Sequence, residues 1–238
     1  MSAPALSRRD RLREETVAQI KDVARRQLVA HGPAGIALRA IAREMGMTAP
    51  GLYRYYPSLQ DLVTMLTVDC YAELTTEMER ARDALPPDDR PGRLLAVSRA
   101  FRVWSVAHPA EFGLIFGAPV PGFDRAPEGP VEEAADAFGQ VFRDVFVQLW
   151  LSRPFPVPDV AELDPRLPAE LQRITAGPLG PGELYVFVAC WVRLYGAVAM
   201  EVFGQLKWAV EEGEALFETE LRQLSRLLDM ADDYRAPR

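Results

Sequence analysis

The first sixty residues alternate apolar and polar positions with the period of short amphipathic helices. One stripe at three- and four-residue spacing predicts a first helix over about residues 11–30: Val17, Ile20, Ala24 and Leu28. A second stripe predicts a helix over 38–45: Leu38, Ile41, Ala42 and Met45. On this second helix Arg39 and Arg43 then point outward, away from the buried side.

A turn and a third short helix follow directly. Gly46 supplies the turn, and Thr48 is a good N-cap for a helix over about 48–56. Pro50 is tolerated in the first turn of that helix, where backbone N–H groups have no intrahelical partner. Leu52 faces inward and Pro57 ends the helix. Two short helices that pivot on a glycine have the layout of a helix-turn-helix DNA reader.

The remainder of the chain predicts longer helices. Ser58 with Asp61 three residues on forms a capping box for a fourth helix, which links the first sixty residues to the rest. The helices from the fourth to the ninth are predicted over about 59–84, 91–107, a short stretch ending near 116, 131–151, 183–203 and 213–230. Loops are predicted over 117–130 and 152–181, the second with one possible helical turn at 169–174. No strand alternation stands out, so the predicted fold is all-α with about nine helices.

Charge is distributed unevenly along the chain. The net charge is −7, but residues 1–60 hold ten Lys or Arg against five Asp or Glu, and the remainder holds 17 against 29. A basic first segment favours polyanion binding even in an acidic protein, because binding depends on the field at the docking face. The alternative is a charged, solvated surface without a partner.

Several function classes find little support. The cysteines Cys70 and Cys190 lie far apart without a nearby ligand, and with only two histidines no metal site or nucleophile–base pair is assembled. We therefore predict no metal, no cofactor and no enzyme. No signal peptide precedes the first helix, which predicts a cytoplasmic protein. The segment 184–202 is apolar, but Arg193 at its centre favours a buried interface helix, without a membrane partner.

Two runs of residues resemble the TetR family of bacterial transcriptional regulators: Ile41-Ala42-Arg43-Glu44-Met45-Gly46-Met47 and Gly51-Leu52-Tyr53-Arg54-Tyr55-Tyr56-Pro57-Ser58. This resemblance covers about residues 14–62. Two further segments are similar to one subtype of the family's C-terminal domain: His108-Pro109-Ala110-Glu111-Phe112 and Trp191-Val192-Arg193-Leu194-Tyr195-Gly196. In the second, Tyr195 stands where the subtype has His.

The resemblance implies a helix-turn-helix domain over 1–58, with residues 1–10 as a disordered arm, and a ligand-binding and dimerisation domain over 59–238. It implies a homodimer, joined through the predicted helices at 183–203 and 213–230, that binds a pseudo-palindromic operator as a repressor. A small, mostly apolar effector in the second domain would release the DNA. The alternatives are a ligand-independent DNA-binding dimer, a transcriptional activator and, remotely, an enzyme on a helical scaffold.

The DNA contacts implied by the resemblance fall into two sets. Positions that bond phosphates correspond to Thr48, Tyr53 and Tyr55. Positions that face base edges or the adjoining backbone correspond to Arg39, Ala49, Pro50, Gly51 and Arg54. Arg39 is the best candidate for reading a guanine, because its guanidinium fork can bond O6 and N7 together, with about 1 to 3 kcal/mol of discrimination. The chain departs from the family at Ala37, which lacks a helix-capping side chain, at Tyr55, and at Leu59, which replaces a phosphate-binding Lys. Tyr56 is expected in the core.

Aromatic and polar side chains of the second domain are the candidates for the effector site: Trp104, His108, Phe112, Phe142, Phe146, Trp191 and Tyr195. With Arg193 nearby in sequence, they suggest a mostly apolar ligand with one polar or anionic end. The alternative is an ordinary aromatic core. In that case His108 satisfies a backbone group at the Pro109 joint, and Arg193 pairs with Glu201 or Glu111.

Overall fold

The structure is a computed structural model that describes residues 7–117, 128–174 and 177–236. Over these residues it contains ten α-helices and no strands, which confirms the all-α prediction. The helices are α1 (Arg8–His31), α2 (Leu38–Glu44), α3 (Ala49–Tyr53), α4 (Leu59–Asp83), α5 (Arg90–Ala107), α6 (Pro109–Phe116), α7 (Pro130–Ser152), α8 (Leu167–Leu171), α9 (Pro181–Val202) and α10 (Gly213–Leu227). Most of the predicted 117–130 loop lies outside the described residues.

Three helix ends differ from the prediction. α1 begins at Arg8, so part of the predicted disordered arm is helical; the Ser7 hydroxyl caps it by accepting the Asp10 N–H at 3.2 Å. Residues 1–6 of that arm lie outside the described residues. α3 already ends at Tyr53, and the chain continues as a turn in which the Tyr55 and Tyr56 N–H groups donate to the Leu52 carbonyl at 2.9 and 3.1 Å. α10 ends at Leu227, well before residue 230.

The chain forms two compact units. The first comprises residues 1–72 and 110–135, and the second comprises residues 73–109 and 136–238. Both α4 and α7 contribute residues to each unit. The proposed domain boundary after residue 58 stays a prediction.

The first unit packs the predicted apolar stripes together. Ile20, Leu28, Ile41 and Leu52 are fully buried, and Tyr56 joins them as predicted. Burial, helped by Asp69, raises the pKa of the Tyr56 hydroxyl above its usual range. The amphipathic faces of α1, α2 and α3 therefore form one small core.

Helix α6 belongs to the first unit as well. Its Phe116 ring lies 5.8 Å from that of Tyr71 on α4. Glu111 is 3% exposed, and its carboxylate accepts a hydrogen bond from Arg25 Nε on α1 at 2.7 Å. A second ion pair joins Lys21 Nζ to Asp69 Oδ2 at 2.7 Å. These contacts link α1 to both α4 and α6.

The second unit is built on aromatic rings. Phe101, Phe138, Phe142 and Trp191 surround one another at centroid distances of 5.5 to 6.1 Å. α10 and the residue that follows it cover this core with the predicted apolar stripe, which is buried: Phe217, Leu221, Leu224 and Leu228.

Ion pairs across the second unit correct one prediction. Arg193 pairs with Glu220 of α10 at 2.7 Å, not with Glu201 or Glu111. Glu201 instead accepts from Arg102 of α5 at 2.6 Å, and Glu111 belongs to the first unit. Sequence spacing could not determine these partners, because each pair joins different helices.

Candidate nucleic-acid interface and apolar cavity

The turn between α2 and α3 depends on Gly46. Its φ of 65° lies in the left-handed region, where a residue with a Cβ is strained. The Gly46 N–H donates to the Arg43 carbonyl at 3.2 Å and the Met47 N–H to the Ala42 carbonyl at 2.8 Å. These two bonds satisfy the last carbonyls of α2 and fix the direction in which α3 starts.

Thr48 caps α3, as predicted. Its hydroxyl accepts the Gly51 N–H at 3.2 Å. Gly51 is buried below that hydroxyl, and a Cβ on it would lie 3.1 Å from Thr48 Oγ1. At the start of α2, Ala37 provides no side-chain cap, but its N–H donates to Gln27 Oε1 at 3.2 Å. This bond ties Ala37 to α1, but it does not replace the missing cap, because a capping side chain would accept an N–H from the first turn of α2.

The outer side of this motif is exposed and basic. We define the recognition surface as the exposed predicted contact residues: Arg39, Thr48, Pro50, Tyr53 and Arg54. None of its arginines forms an ion pair with another residue of the described ranges. Of the other predicted contacts, Ala49 is half-buried and Gly51 buried. Their contacts with DNA remain predictions.

Tyr55 shows a contact that the sequence did not indicate. It is half-buried, and the Arg13 guanidinium of α1 lies 5.4 Å from its ring centroid. Such a cation–π contact holds a positive charge next to the phenol. The departure from the family at Tyr55 is therefore accompanied by an added positive group from α1.

An apolar cavity of about 50 Å³ lies in the second unit, between α5, α7, α9 and α10. Three of the predicted effector residues line it: Phe142, Phe146 and Trp191. They share it with residues that were not predicted, among them Leu94, Ser98, Cys190 and Met230. The spacing of Leu94, Leu95 and Ser98 could have indicated part of this wall, because residues three and four apart share one face of a helix.

The other predicted effector residues lie elsewhere. Trp104, His108 and Tyr195 belong to the second unit but are not part of the cavity wall, and Phe112 is buried in the first unit. His108 stacks on Trp104 with a centroid distance of 4.9 Å. Its Nδ1 lies 2.9 Å from the Trp104 carbonyl, which can only accept, so Nδ1 carries the proton. This contact matches the structural alternative for His108.

The cavity wall offers no charge. The two serine hydroxyls donate to carbonyls of their own helices, Ser98 to Leu94 at 2.9 Å and Ser225 to Leu221 at 2.8 Å. Burial raises the pKa of the Cys190 thiol to about 12, although Arg193 opposes the shift, so the thiol stays neutral. An anionic group would find no partner in this wall.

The described residues contain no group of three or more His, Cys, Asp or Glu side chains that could hold a metal ion. Among the residues that the structure describes, one helix, α9, is long and apolar enough to cross a membrane by length and composition. Core helices of soluble proteins share this length and composition.

A glycine-pivoted pair of short helices with an exposed basic face, followed by a helical unit with an apolar cavity, defines the class of helix-turn-helix transcription regulators. Residues 20–65 match the family "Bacterial regulatory proteins, tetR family", and residues 94–224 match "Tetracyclin repressor-like, C-terminal domain". The chain belongs to the TetR family of bacterial transcriptional regulators.

Relatives and solved structures agree with this assignment. The chain is 36% identical over 201 residues to the HTH-type transcriptional regulator Rv1816 of Mycobacterium tuberculosis and to Mb1846 of Mycobacterium bovis, covering 83% of this chain and 85% of each relative. The crystal structure of the regulatory protein SCO4313 has a TM-score of 0.73 at 30% identity, covering 92% of this chain and 98% of that one. RolR in complex with resorcinol has the same fold, with a TM-score of 0.55 at 13% identity, covering 96% of this chain and 98% of that one. The mycobacterial relatives are named as HTH-type transcriptional regulators, and the N-terminal family is named as one of bacterial regulatory proteins.

Proposed function

We propose that this protein is a ligand-controlled repressor that binds a pseudo-palindromic operator as a homodimer. The observation that carries the proposal is the recognition surface, whose arginines are exposed and make no ion pair within the described residues. Free guanidinium groups beside a capped helix are suited to phosphates and to guanine edges. Arg39 takes the base-reading role, while Thr48 and Tyr53 bond phosphates.

The proposed dimer forms through α9 together with α10. Support comes from one face of α9 and its C-cap residue, which carries exposed apolar side chains: Tyr185, Val192, Met200 and Phe203. Their positions repeat at close to whole helical turns, so they share one side of the helix. Gly196 lies on the same side with open space around it, which allows a second helix to approach closely. A two-fold dimer would present its two α3 helices to half-sites about 34 Å apart or a multiple of that.

The proposed effector is a small, mostly apolar molecule bound in the cavity of the second unit. Phe142, Phe146 and Trp191 provide aromatic walls for it, and α7, which lines the cavity and contributes residues to both units, provides a route for a response. An effector that binds one state of the dimer better than the other shifts the population toward that state. Release follows if the favoured state spaces the two recognition surfaces wrongly for the operator.

Selection of bound DNA from a random library with purified protein tests this function. We expect enrichment of a pseudo-palindrome with two half-sites. A lower salt concentration should strengthen binding, because protein cations that neutralise phosphates release counterions from the DNA. Enrichment of a single unrepeated site, or of no sequence, would contradict the proposal.

A second candidate is a ligand-independent DNA-binding dimer. The small volume of the cavity, about 50 Å³, favours it, because a cavity of roughly 150 Å³ is known to hold benzene. A thermal-shift screen of apolar compounds separates the two: a stabilising compound that also lowers operator affinity supports the repressor, and no response from any compound class supports the second candidate.

A further inference from the structure

The cavity of the second unit must enlarge before it can hold a ring-sized molecule. Most of its wall belongs to α5, α7, α9 and α10, whose residues are fixed by the packing of these helices. Leu228 and Met230 are the lining residues that follow the last helix. The cavity can therefore enlarge with the least disturbance on the side of this C-terminal segment.

Met230 is seated in the cavity wall by an unusual helix end. Asp229 has a φ of 51°, and this left-handed conformation turns the chain back toward the helices. The Met230 N–H donates to the Ser225 carbonyl at 2.8 Å, and the Met230 side chain is 1% exposed. Glycine usually occupies the left-handed position after a helix, so Asp229 holds this turn against some strain. Met230 has a flexible thioether chain that can leave and return without breaking a helix.

The residues after Met230 are held by polar contacts at the edge of the unit. Asp233 Oδ2 lies 2.7 Å from Arg153 Nη2, in a pair whose side chains are 36% and 42% exposed. The Tyr234 hydroxyl donates to Glu218 Oε2 at 2.6 Å. Half-exposed ion pairs contribute little to stability, because water competes for both partners. Arg99 Nη2 also donates to the Arg235 carbonyl at 2.6 Å, and the guanidinium groups of Arg99 and Arg222 lie 5.6 and 4.8 Å from the Tyr234 ring centroid. The segment is therefore held by one weak ion pair at Asp233 together with the contacts of Tyr234 and Arg235.

We propose that residues 229–235 form a latch over the cavity, and that an uncharged, apolar molecule enters by displacing the Met230 side chain. A charged molecule is excluded because no charged side chain lines the cavity to replace its hydration. The latch rests on the effector function proposed above, and it assigns that effector a chemical class and a point of entry. In the closed state Met230 competes with the ligand for the same space.

The test uses N-phenyl-1-naphthylamine, an uncharged dye that becomes fluorescent in apolar surroundings, with the full chain. Asp233→Asn removes the ion pair with Arg153, while Asp232→Asn changes the exposed neighbouring carboxylate and serves as the matched control. Apparent affinity rises with the fraction of open molecules, and an exposed pair contributes at most about 1 kcal/mol, so Asp233→Asn should bind the dye about twofold to fivefold more tightly than wild type. Met230→Ala should bind at least as tightly, and Asp232→Asn as wild type does. Ser98→Leu, which fills the cavity, should abolish the gain.

Several results would overturn the latch. Equal dye affinity of Asp233→Asn and Asp232→Asn would show that the segment does not gate the cavity, and an unchanged affinity of Ser98→Leu would place the dye elsewhere. If Met230→Ala fails to fold, hydrogen exchange in the wild type decides: the dye should speed amide exchange over residues 229–235, and unchanged or slower exchange contradicts displacement. Operator affinity is measured with and without dye in parallel. If the dye binds in a latch-dependent way but operator affinity stays unchanged, the effector function alone is refuted. If the dye releases the operator equally well from wild type and from Asp233→Asn, the latch alone is refuted.

Discussion

The ion pair between Arg25 and Glu111 should be a main stabilising contact of the first unit. The Arg25 Nε and Glu111 Oε1 atoms lie 2.7 Å apart, and the side chains are 29% and 5% exposed. At an effective dielectric of about 20 the gross attraction at this distance is about 6 kcal/mol, most of which is offset by desolvation of the two charges. Arg25→Ala leaves a buried carboxylate without this donor, which costs about 3 kcal/mol for a pair that is partly exposed on the arginine side.

Arg26→Ala is the matched control for this prediction. Arg26 is the next residue of the same helix and pairs with Glu44 at 2.9 Å, but the two side chains are 62% and 45% exposed. An exposed pair contributes about 0.2 to 1 kcal/mol, so this variant should lose much less stability. The comparison therefore isolates the effect of burial at nearly constant distance.

Unfolding in urea, followed by circular dichroism at one protein concentration, measures both losses. Tryptophan fluorescence in the same samples reports on the second unit, because Trp104, Trp150, Trp191 and Trp208 all belong to it. The Arg25→Ala loss should be larger in the circular dichroism transition than in the fluorescence transition. A double-mutant cycle with Glu111→Ala should give a coupling free energy of about 2 kcal/mol. The reasoning is refuted if Arg25→Ala costs no more than Arg26→Ala or if the coupling is near zero.

Three further predictions concern a helix cap, the dimer and pH. Thr48→Ala removes the acceptor of the Gly51 N–H, so it should weaken operator binding and cost about 1 kcal/mol of stability. Thr48→Ser should keep the operator affinity and the stability of wild type, and equal losses of stability in the two variants would contradict the capping role. Val192→Asp on α9 should give a monomer in sedimentation velocity, whereas Val103→Asp on α5 should leave the dimer intact. Val103 is the matched control because the two valines are similarly exposed, at 60% for Val192 and 63% for Val103. A dimer in both variants would exclude the α9 interface. Hydrogen bonds from Arg82, and secondarily from Arg93, hold the Asp83 pKa at about 2, below its usual 3.8, so this stabilisation is present above pH 3.8 and is lost as the pH falls toward 2. The thermal midpoint of wild type should therefore exceed that of Asp83→Asn at pH 5, with the difference shrinking toward pH 2, and a difference that does not depend on pH would refute this.

Local signals predicted the frame of the helix-turn-helix well. Gly46 adopts the left-handed turn, Thr48 caps α3, and the Ser58 hydroxyl accepts the Asp61 N–H at 3.1 Å in the expected capping box. Each of these features depends on residues within a few positions of one another. These three features can therefore be predicted from the spacing of residues along the chain.

Features that depend on contacts between distant segments could not be predicted in the same way. Periodicity shows that Phe112 and Phe142 are buried, but not that one lies in the first unit and the other lines the cavity of the second. Met230 was assigned to the end of a helix, because Asp229 in a left-handed turn gives no glycine signal. Arg193 could be paired only by its charge, and its partner Glu220 is brought near by the packing of α9 on α10.

The central claim is that the recognition surface reads DNA sequence through Arg39. The most direct measurement is the affinity of wild type and Arg39→Ala for a panel of operators, each changed at one symmetrical pair of positions, with Arg43→Ala as an exposed control on the same helix. We predict that Arg39→Ala loses about 1 to 3 kcal/mol of discrimination at one guanine in each half-site, while Arg43→Ala keeps the wild-type pattern of preference. An Arg39→Ala protein that ranks every operator as wild type does would contradict the account.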